Sequence, residues 1–176
     1  MPESIAIIFE SIRDFMDLGG PVLYLIALLL LVMWTMIIER IFYFRGAHKH
    51  AVKSAIKEWE SRSERRSWAA RQVREELVSS VAVRMRENLP MIQACVALAP
   101  LFGLLGTVTG MIEVFQVMAI NGTSNARAMA GGVSRATVPT MAGMVAALSG
   151  LFLSFWLQRK YEQERELLNE YLTVDH

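Results

Sequence analysis

The sequence predicts an all-α membrane protein that crosses the bilayer three times and carries long cytoplasmic helical extensions. Two observations predict this fold class. Hydrophobic residues make up 53% of the 176 residues, and the mean hydropathy is +0.33. The apolar residues are also gathered into three uncharged blocks, at 22–38, 91–112 and 136–157. Each block approaches or reaches the roughly 20 residues that a membrane-spanning helix needs. Three buried helices of a soluble bundle are the alternative.

The basic residues predict the orientation of the chain. Twelve arginines and lysines lie from Arg40 to Arg86, whereas the N-terminal segment has only Arg13 and the second connection only Arg127. Because segments rich in arginine and lysine stay on the cytoplasmic side, the segment after the first span is expected in the cytoplasm. The N-terminus then lies outside, and the C-terminus lies inside.

The segments follow in order from these two patterns. Residues 1–20 have apolar residues at helical spacing among charged ones, which predicts an amphipathic helix on the outer membrane face. Gly19-Gly20-Pro21 then turns the chain inward. The segments expected after it are a first span at 21–44, a cytoplasmic helical segment at 45–90, a second span at 91–119, an outer loop at 120–133, a third span at 134–157 and a cytoplasmic C-terminal helix at 158–176.

The cytoplasmic segment 45–90 reads as two helices. The sequence SRSE from Ser61 to Glu64 has the spacing of a capping box, so we expect it to start the second helix. Acidic residues such as Glu58, Glu75 and Glu87 alternate with the basic ones. This mixture favours a solvated helical hairpin, and no nucleic-acid partner is expected.

The sequence contains no recognisable set of catalytic or metal-binding residues. Cys95 is the only cysteine, and in the second span it is expected to be a small apolar filler. The three histidines, His48, His50 and His176, have no cysteine or carboxylate set at ligand spacing. No nucleophile–base pair is visible either. We therefore expect neither an enzyme nor a metal or cofactor site.

Small residues recur at helical spacing in the second and third spans. Residues three or four apart share one face of a helix, and in lipid such small faces allow close helix–helix packing. Packing is the expected role of the following residues: Gly103, Gly106 and Gly110 in the second span, and Gly143, Ala147 and Gly150 in the third.

Hydroxyl groups accompany these small faces. Thr107, Thr137 and Thr140 each supply a group that can donate and accept hydrogen bonds. Two helices with small, polar faces are expected to line a narrow cavity, which several copies of the chain would close as an oligomeric ring. The first span, rich in leucine, would then face lipid. Simple helix packing, without any cavity, is the alternative.

The central parts of these two spans contain no acidic, basic or histidine residue. Asp, Glu, Lys, Arg and His are absent from 91–112 and from 136–157. A proton path along these spans would therefore need a carboxylate from another subunit. Glu113 and Arg135 flank the apolar blocks. They are expected to form a charge pair, to extend to the membrane surface, or to contact a partner.

Three stretches resemble the MotA/TolQ/ExbB proton channel family, and the resemblance is closest to its ExbB branch. They are APLFGLLGTVTGMIEVF in the second span, GGVSRATVPTMAGMVAALSG in the third and IIERIFYFR at the end of the first. The resemblance implies a protein of the bacterial inner membrane that forms a ring with itself, pentameric in the family. The family's pore-lining threonines correspond to Thr107 and Thr140. Arg135 stands where ExbB and TolQ proteins usually carry a glutamate, and arginine does not accept protons.

The resemblance also implies partners. The ring encloses helices of an ExbD-like subunit, which supplies the essential aspartate, and it associates with a TonB-like protein. Proton-motive force then energises outer-membrane uptake of iron chelates and cobalamin. A TolQ-type role in envelope integrity is one alternative. A MotA type is disfavoured because the cytoplasmic segment is short, and a purely structural membrane scaffold is an alternative of a different class.

Overall fold

Five α-helices make up nearly all of the computed structural model, which describes residues 2–61, 64, 67–121 and 126–172. The helices are α1 (Pro2–Arg45), α2 (Ala47–Glu60), α3 (Trp68–Arg86), α4 (Leu89–Asn121) and α5 (Ala126–Tyr171). Three stretches of this described chain are long and apolar enough to cross a membrane, namely Gly19–Arg45, Trp68–Ile120 and Met129–Tyr171. The expectation of an all-helical protein with three membrane-crossing segments is therefore confirmed.

Helix α1 is interrupted at Gly20. The backbone of Gly20 has φ +65° and ψ −164°, a conformation that residues with a side chain rarely adopt. Pro21 follows as the first residue of the second part of the helix, a position at which its missing N–H costs nothing. The interruption therefore lies at the Gly19-Gly20-Pro21 triplet from which the sequence predicts a turn.

The chain divides into two compact units, and each has its own core. Unit 1 comprises Met1–Met33 and Ala94–Gly150, and unit 2 comprises Trp34–Gln93 and Leu151–His176. In unit 1, α1, α4 and α5 meet at a cluster of buried apolar side chains, which are Val22, Leu23, Ile26, Ala99 and Ala146. This cluster holds together the part of the protein that contains the small-residue faces.

Unit 2 combines the two shorter helices with parts of α1, α4 and α5. Helix α2 packs against α3, and the fully buried side chains of the unit include Met85, Ile92, Leu157 and Leu168. Arg74 on α3 donates hydrogen bonds to the carbonyl oxygens of Asn169, at 3.0 Å, and of Leu172. Because the last carbonyls of a helix have no partner within it, these bonds secure the end of α5 to α3.

The start of α3 differs from the sequence expectation. The helix begins at Trp68, and its N-cap is Ser67, whose hydroxyl oxygen accepts a hydrogen bond from the backbone N–H of Ala70 at 3.1 Å. The expectation that the SRSE sequence starts this helix is therefore wrong. The hydroxyl of Ser61 instead donates to the carbonyl of Glu58 at the end of α2, because a serine after a helix can bond back to its last turn.

The cap at Ser67 leads to a stability prediction. Replacing Ser67 with alanine removes the acceptor for the Ala70 N–H, and loss of such a cap costs about 1 kcal/mol. We expect Ser67→Ala to lower the thermal unfolding temperature measured by circular dichroism. Ser67→Asp keeps an acceptor oxygen and serves as the matched control. Equal unfolding temperatures for Ser67→Ala and the unchanged protein would contradict the assignment of this cap.

The connection between α4 and α5 is shorter than the sequence suggests. Helix α4 continues to Asn121 and α5 begins at Ala126, whereas the sequence predicts a loop over 120–133. The early start of α5 has a local cause: residues 126–130 read Ala-Arg-Ala-Met-Ala, all of them strong helix formers. The four residues between the two helices lie outside the described residues.

Candidate functional site

The small residues of α4 and α5 form a close contact between the two helices, which we call the α4–α5 seam. It consists of Gly103, Gly106 and Gly110 on α4 and of Ala136, Thr140 and Gly143 on α5. A Cβ atom added to Gly103 would lie 2.9 Å from Cα of Thr140, and one added to Gly110 would lie 2.8 Å from Cβ of Ala136. The helices therefore approach each other so closely that no larger side chain fits between them.

Two further close contacts between α4 and α5 involve Gly143 and Pro139, both on α5. A Cβ atom on Gly143 would lie 2.5 Å from the carbonyl oxygen of Ala99, and one on Gly106 would meet the ring of Pro139. Pro139 is almost completely buried. Pro139 is not among the residues that the sequence predicts at the site. The signal that indicates it is a proline within an apolar span, in register with a glycine stripe.

Gly150 and Ala147, the other two residues that the sequence predicts in helix packing, contribute to contacts with α1. A Cβ atom on Gly150 would meet the sulfur of Met33 on α1 and lie 2.8 Å from Cγ2 of Val96 on α4. Ala147 packs against the buried cluster of unit 1. Small residues of α5 thus accommodate both other long helices of unit 1.

The three threonines expected to line a path occupy different environments. Thr140 donates a hydrogen bond across the seam to the carbonyl oxygen of Gly103, at 2.9 Å. Thr107 and Thr137 donate within their own helices, to the carbonyls of Leu104 and Ser134, both at 2.7 Å. Each hydroxyl oxygen keeps lone pairs with which it can accept a hydrogen bond. The structure therefore places Thr140 in the seam and leaves Thr107 half-buried and Thr137 exposed.

A cavity of about 530 Å³ lies at one end of unit 1. Its wall includes Gly20 at the interruption of α1, Pro139 from the seam, and three charged residues, Asp17, Glu113 and Arg135. All three charged side chains are exposed. The structure thus brings together Glu113 and Arg135, which the sequence singles out, and adds Asp17, one of the charged residues within the predicted amphipathic helix at 1–20.

The charged groups on the cavity wall determine which ligands the cavity can contact. Two carboxylates and one guanidinium surround a space at the boundary between the apolar blocks and the polar segments. In the part of the chain that the structure describes, no ion pair joins Glu113 to Arg135. Both side chains are therefore exposed without an ion pair to each other.

Comparison with known proteins identifies the family. Residues 44–170, nearly three quarters of the chain, match the MotA/TolQ/ExbB proton channel family. The chain belongs to this family. The match includes the whole α4–α5 seam and the charged residues Glu113 and Arg135, so the resemblance to this family is confirmed.

Two relatives of the chain come from Synechocystis sp., and the names of both describe ExbB-like biopolymer transport proteins. The first, ExbB-like 1, is 41% identical over 73 residues, which cover 40% of this chain and 29% of the relative. The second, ExbB-like 3, is 33% identical over 82 residues, which cover 46% of this chain and 39% of the relative. The chain thus matches well under half of the length of either relative.

Proposed function

We propose that this member of the MotA/TolQ/ExbB family is the ring-forming subunit of an ExbB-type complex in a bacterial inner membrane. Several copies, five in the family, would surround helices of an ExbD-like partner and act with a TonB-like protein. Proton-motive force would then energise outer-membrane uptake of iron chelates or cobalamin. Family membership supports the channel assignment, and the ExbB-like names of the relatives support this branch.

The observation that carries the proposal is the chemistry of the central parts of α4 and α5. They contain hydroxyl groups but no Asp, Glu, Lys, Arg or His from 91 to 112 or from 136 to 157. An ionisable group at mid-membrane costs at least about 2.5–3.5 kcal/mol and is kept where function requires it. A proton-driven complex built on this chain would therefore take its titratable carboxylate from the partner.

The charged cavity suggests where that partner makes contact. Arg135 cannot accept a proton, but its guanidinium can bind a carboxylate in bidentate geometry. Because Arg135 and Glu113 are exposed on the cavity wall, a partner segment at this end of the spans would meet both charges. The basic segment after the first span supports an orientation with the N-terminus in the periplasm and the C-terminus in the cytoplasm.

Two alternatives remain open. A specific observation favours a non-conducting membrane scaffold: Thr107, Thr137 and Thr140 all donate to carbonyls of their own protomer. In that case the seam would serve helix packing alone. A TolQ-type subunit acting in envelope integrity fits the same residues equally well, and the proteins encoded beside this chain would separate it from the ExbB type.

Substitution of the threonines tests the proposal. We expect Thr107→Val and Thr140→Val to abolish proton flux into liposomes that contain this chain and its ExbD-like partner, while the oligomer still assembles. Valine has the shape of threonine without the hydroxyl. Thr107→Ser and Thr140→Ser keep the hydroxyl and are the matched controls, which matters most at Thr140 because valine there also breaks the bond to Gly103.

The outcomes separate the alternatives. Proton flux that survives both valine substitutions would show that the hydroxyls do not form a polar path. If the unchanged chain produces no proton flux with or without the partner, the scaffold alternative is favoured. A transverse section of the assembled complex would show whether Thr107 and Thr140 face a central lumen.

A further inference from the structure

Two rows of like charge lie on exposed faces of unit 2. The row on α2 is the basic stripe, which consists of Lys49, Lys53 and Lys57. The row on α5 is the acidic stripe, which consists of Glu162, Glu166 and Glu170. All six side chains are exposed, and residues four apart share one face of a helix. Each stripe is therefore a continuous charged face about 12 Å long.

Neither stripe is neutralised by its own chain. Like charges four residues apart destabilise the helix that carries them, and both stripes repeat this arrangement. No ion pair found in the five described helices includes any of these six side chains. A second surface of opposite charge would offset the repulsion within each stripe.

The stripes lie away from the sides on which α2 and α5 pack. His48 on α2 is 3% exposed, and its Nε2 lies 3.1 Å from Oε2 of Glu164 on α5. Ala55 and Trp59 of α2 and Leu168 of α5 are buried as well. The packed sides of the two helices thus leave both stripes facing outward.

The two stripes match in spacing, and each follows an exposed phenylalanine. Phe42 precedes Lys49 by seven residues, and Phe155 precedes Glu162 by seven. Seven residues make about two turns of a helix, and only Gly46 separates α1 from α2. Phe42 is 68% exposed and Phe155 is 61% exposed. Both surfaces therefore present one aromatic ring and then three charges, at the same intervals but with opposite sign.

The contact between His48 and Glu164 sets the relative height of the stripes along the helices. Helix α2 runs toward the end of α5, because α3 follows α2 and Arg74, in the second turn of α3, bonds to carbonyls at the end of α5. Lys53 is then level with the position three residues beyond Glu166, a difference of about 4.5 Å along the helix axis. The flexible four-carbon stem of a lysine spans such an offset.

We propose that the basic stripe of one copy of this chain binds the acidic stripe of the next copy, with Phe42 beside Phe155. This inference rests on the ring of the proposed function and names the faces that meet in it. A ring whose axis runs along these helices repeats every residue at the same height, so the two stripes of neighbouring copies face each other nearly level. Two different surfaces in contact form a head-to-tail interface, the kind that closes into a ring. Complementary charges fix the orientation and register of such a contact.

Carbodiimide cross-linking of the full chain in detergent tests the contact directly. The reagent joins a lysine amine to a carboxylate in contact with it, with loss of water and without a spacer. We expect a cross-linked dimer on a denaturing gel, and in that band a peptide pair that links the basic stripe to the acidic stripe. The link should be absent from the monomer band, because both stripes face outward. A dimer band without this link would contradict the proposal.

Charge reversal provides a second test with its own rescue. One variant combines Lys49→Glu, Lys53→Glu and Lys57→Glu, and the other combines Glu162→Lys, Glu166→Lys and Glu170→Lys. Each places like charges opposite one another, which disfavours the contact. We expect each variant to lose the oligomer at a detergent concentration at which the unchanged chain keeps it, as measured by size-exclusion chromatography with light scattering. The variant with both stripes reversed should regain the oligomer.

The matched control reverses three exposed charges on α3, with Arg71→Glu, Glu75→Lys and Glu76→Lys, and should leave the oligomer unchanged. An oligomer that survives both stripe reversals, or that is not restored when they are combined, would overturn this inference and leave the proposed function intact. If the unchanged chain forms no oligomer, the proposed ring fails as well. If reversal of the basic stripe only weakens binding to phosphatidylglycerol vesicles and leaves the oligomer unchanged, that stripe binds a lipid surface and the inference is overturned.

Discussion

Replacing Gly143 with alanine should destabilise unit 1. The added Cβ would lie 2.5 Å from the carbonyl oxygen and 3.3 Å from the carbonyl carbon of Ala99, and 3.2 Å from Cα of Gly103. All three are backbone atoms of α4, so no side chain can rotate to make room, and the helices must separate. Overpacking of this kind costs about 1–3 kcal/mol.

The sole cysteine of the chain gives a direct readout. Cys95 belongs to unit 1 and is buried, so a maleimide dye reacts with it only when the unit opens. Warming the protein with the dye should show Gly143→Ala reacting roughly 2–12 °C below the unchanged protein, since each kcal/mol lowers the unfolding temperature by about 2–4 °C. Opening the seam also weakens the close approach on which helix association in lipid depends.

Gly131→Ala is the matched control on the same helix. Apart from its own stretch of helix, no atom of the described residues lies within 4 Å of the position of its Cβ, and alanine favours the helix over glycine by up to about 1 kcal/mol. We expect this variant to react with the dye at the temperature of the unchanged protein or slightly above it. If Gly143→Ala and Gly131→Ala behaved alike, the seam would not be a close contact in the folded protein.

Replacing Arg40 with methionine should destabilise unit 2 by about 1.5–3 kcal/mol, the contribution of a hydrogen bond to a charged group. Arg40 is 2% exposed. Its Nη1 donates to the carbonyl oxygen of Arg84 in the last turn of α3 at 2.7 Å, and its Nε donates to Glu39 at 3.2 Å. Methionine fills part of the space but leaves the carbonyl at the end of α3 without this donor.

The contact matters because of the corner that follows α3. Asn88 adopts φ +64° between α3 and α4, a left-handed conformation that asparagine tolerates better than most residues. Its side-chain amide donates to Oε2 of Glu39 at 2.8 Å. Arg40 and Glu39 of α1 therefore hold the corner between α3 and α4 from two sides, and losing Arg40 removes one of them.

Two further variants define the cause of the Arg40 effect. Arg40→Lys keeps the charge without the planar fork of donors. Its stability should therefore lie between that of Arg40→Met and that of the unchanged protein. Glu87 is 68% exposed and 3.6 Å from Arg40, so Glu87→Gln should change stability by less than about 1 kcal/mol, as is usual for exposed ion pairs. Unfolding would be followed by circular dichroism as SDS is added. If Arg40→Met unfolded at the same SDS concentration as the unchanged protein, the role of this contact would be contradicted.

The contacts of Arg40 show what a local sequence pattern does not predict. Glu39 and Arg40 end the first apolar block, a position that by itself favours side chains lying at the membrane surface. The structure buries the arginine against a carbonyl 44 residues away. The buried histidine is a second case: the sequence gives His48 no ligand set, because its carboxylate partner lies 116 residues further along the chain.

In the candidate site too, the local pattern predicts one property of the seam and contacts between distant segments decide the other. Spacing alone predicts that Gly103, Gly106 and Gly110 share a helix face, since the period of an α-helix is independent of its surroundings. Whether that face meets another helix of the same chain depends on contacts between distant segments. The structure places Gly103 against Thr140, while the orientation of Thr107 in an assembled complex stays a prediction.

By itself, the sequence determined the all-helical class, the three apolar segments and the absence of acidic, basic and histidine residues from the central parts of α4 and α5. These properties depend on block length, helical period and residue type, all of which are local. Only the tertiary structure decided that Thr140 bonds across the seam, that Asp17 joins Glu113 and Arg135 around one cavity, and that His48 pairs with Glu164. Each of these juxtapositions joins residues from different helices, and their packing is set by the shapes of all the side chains between them.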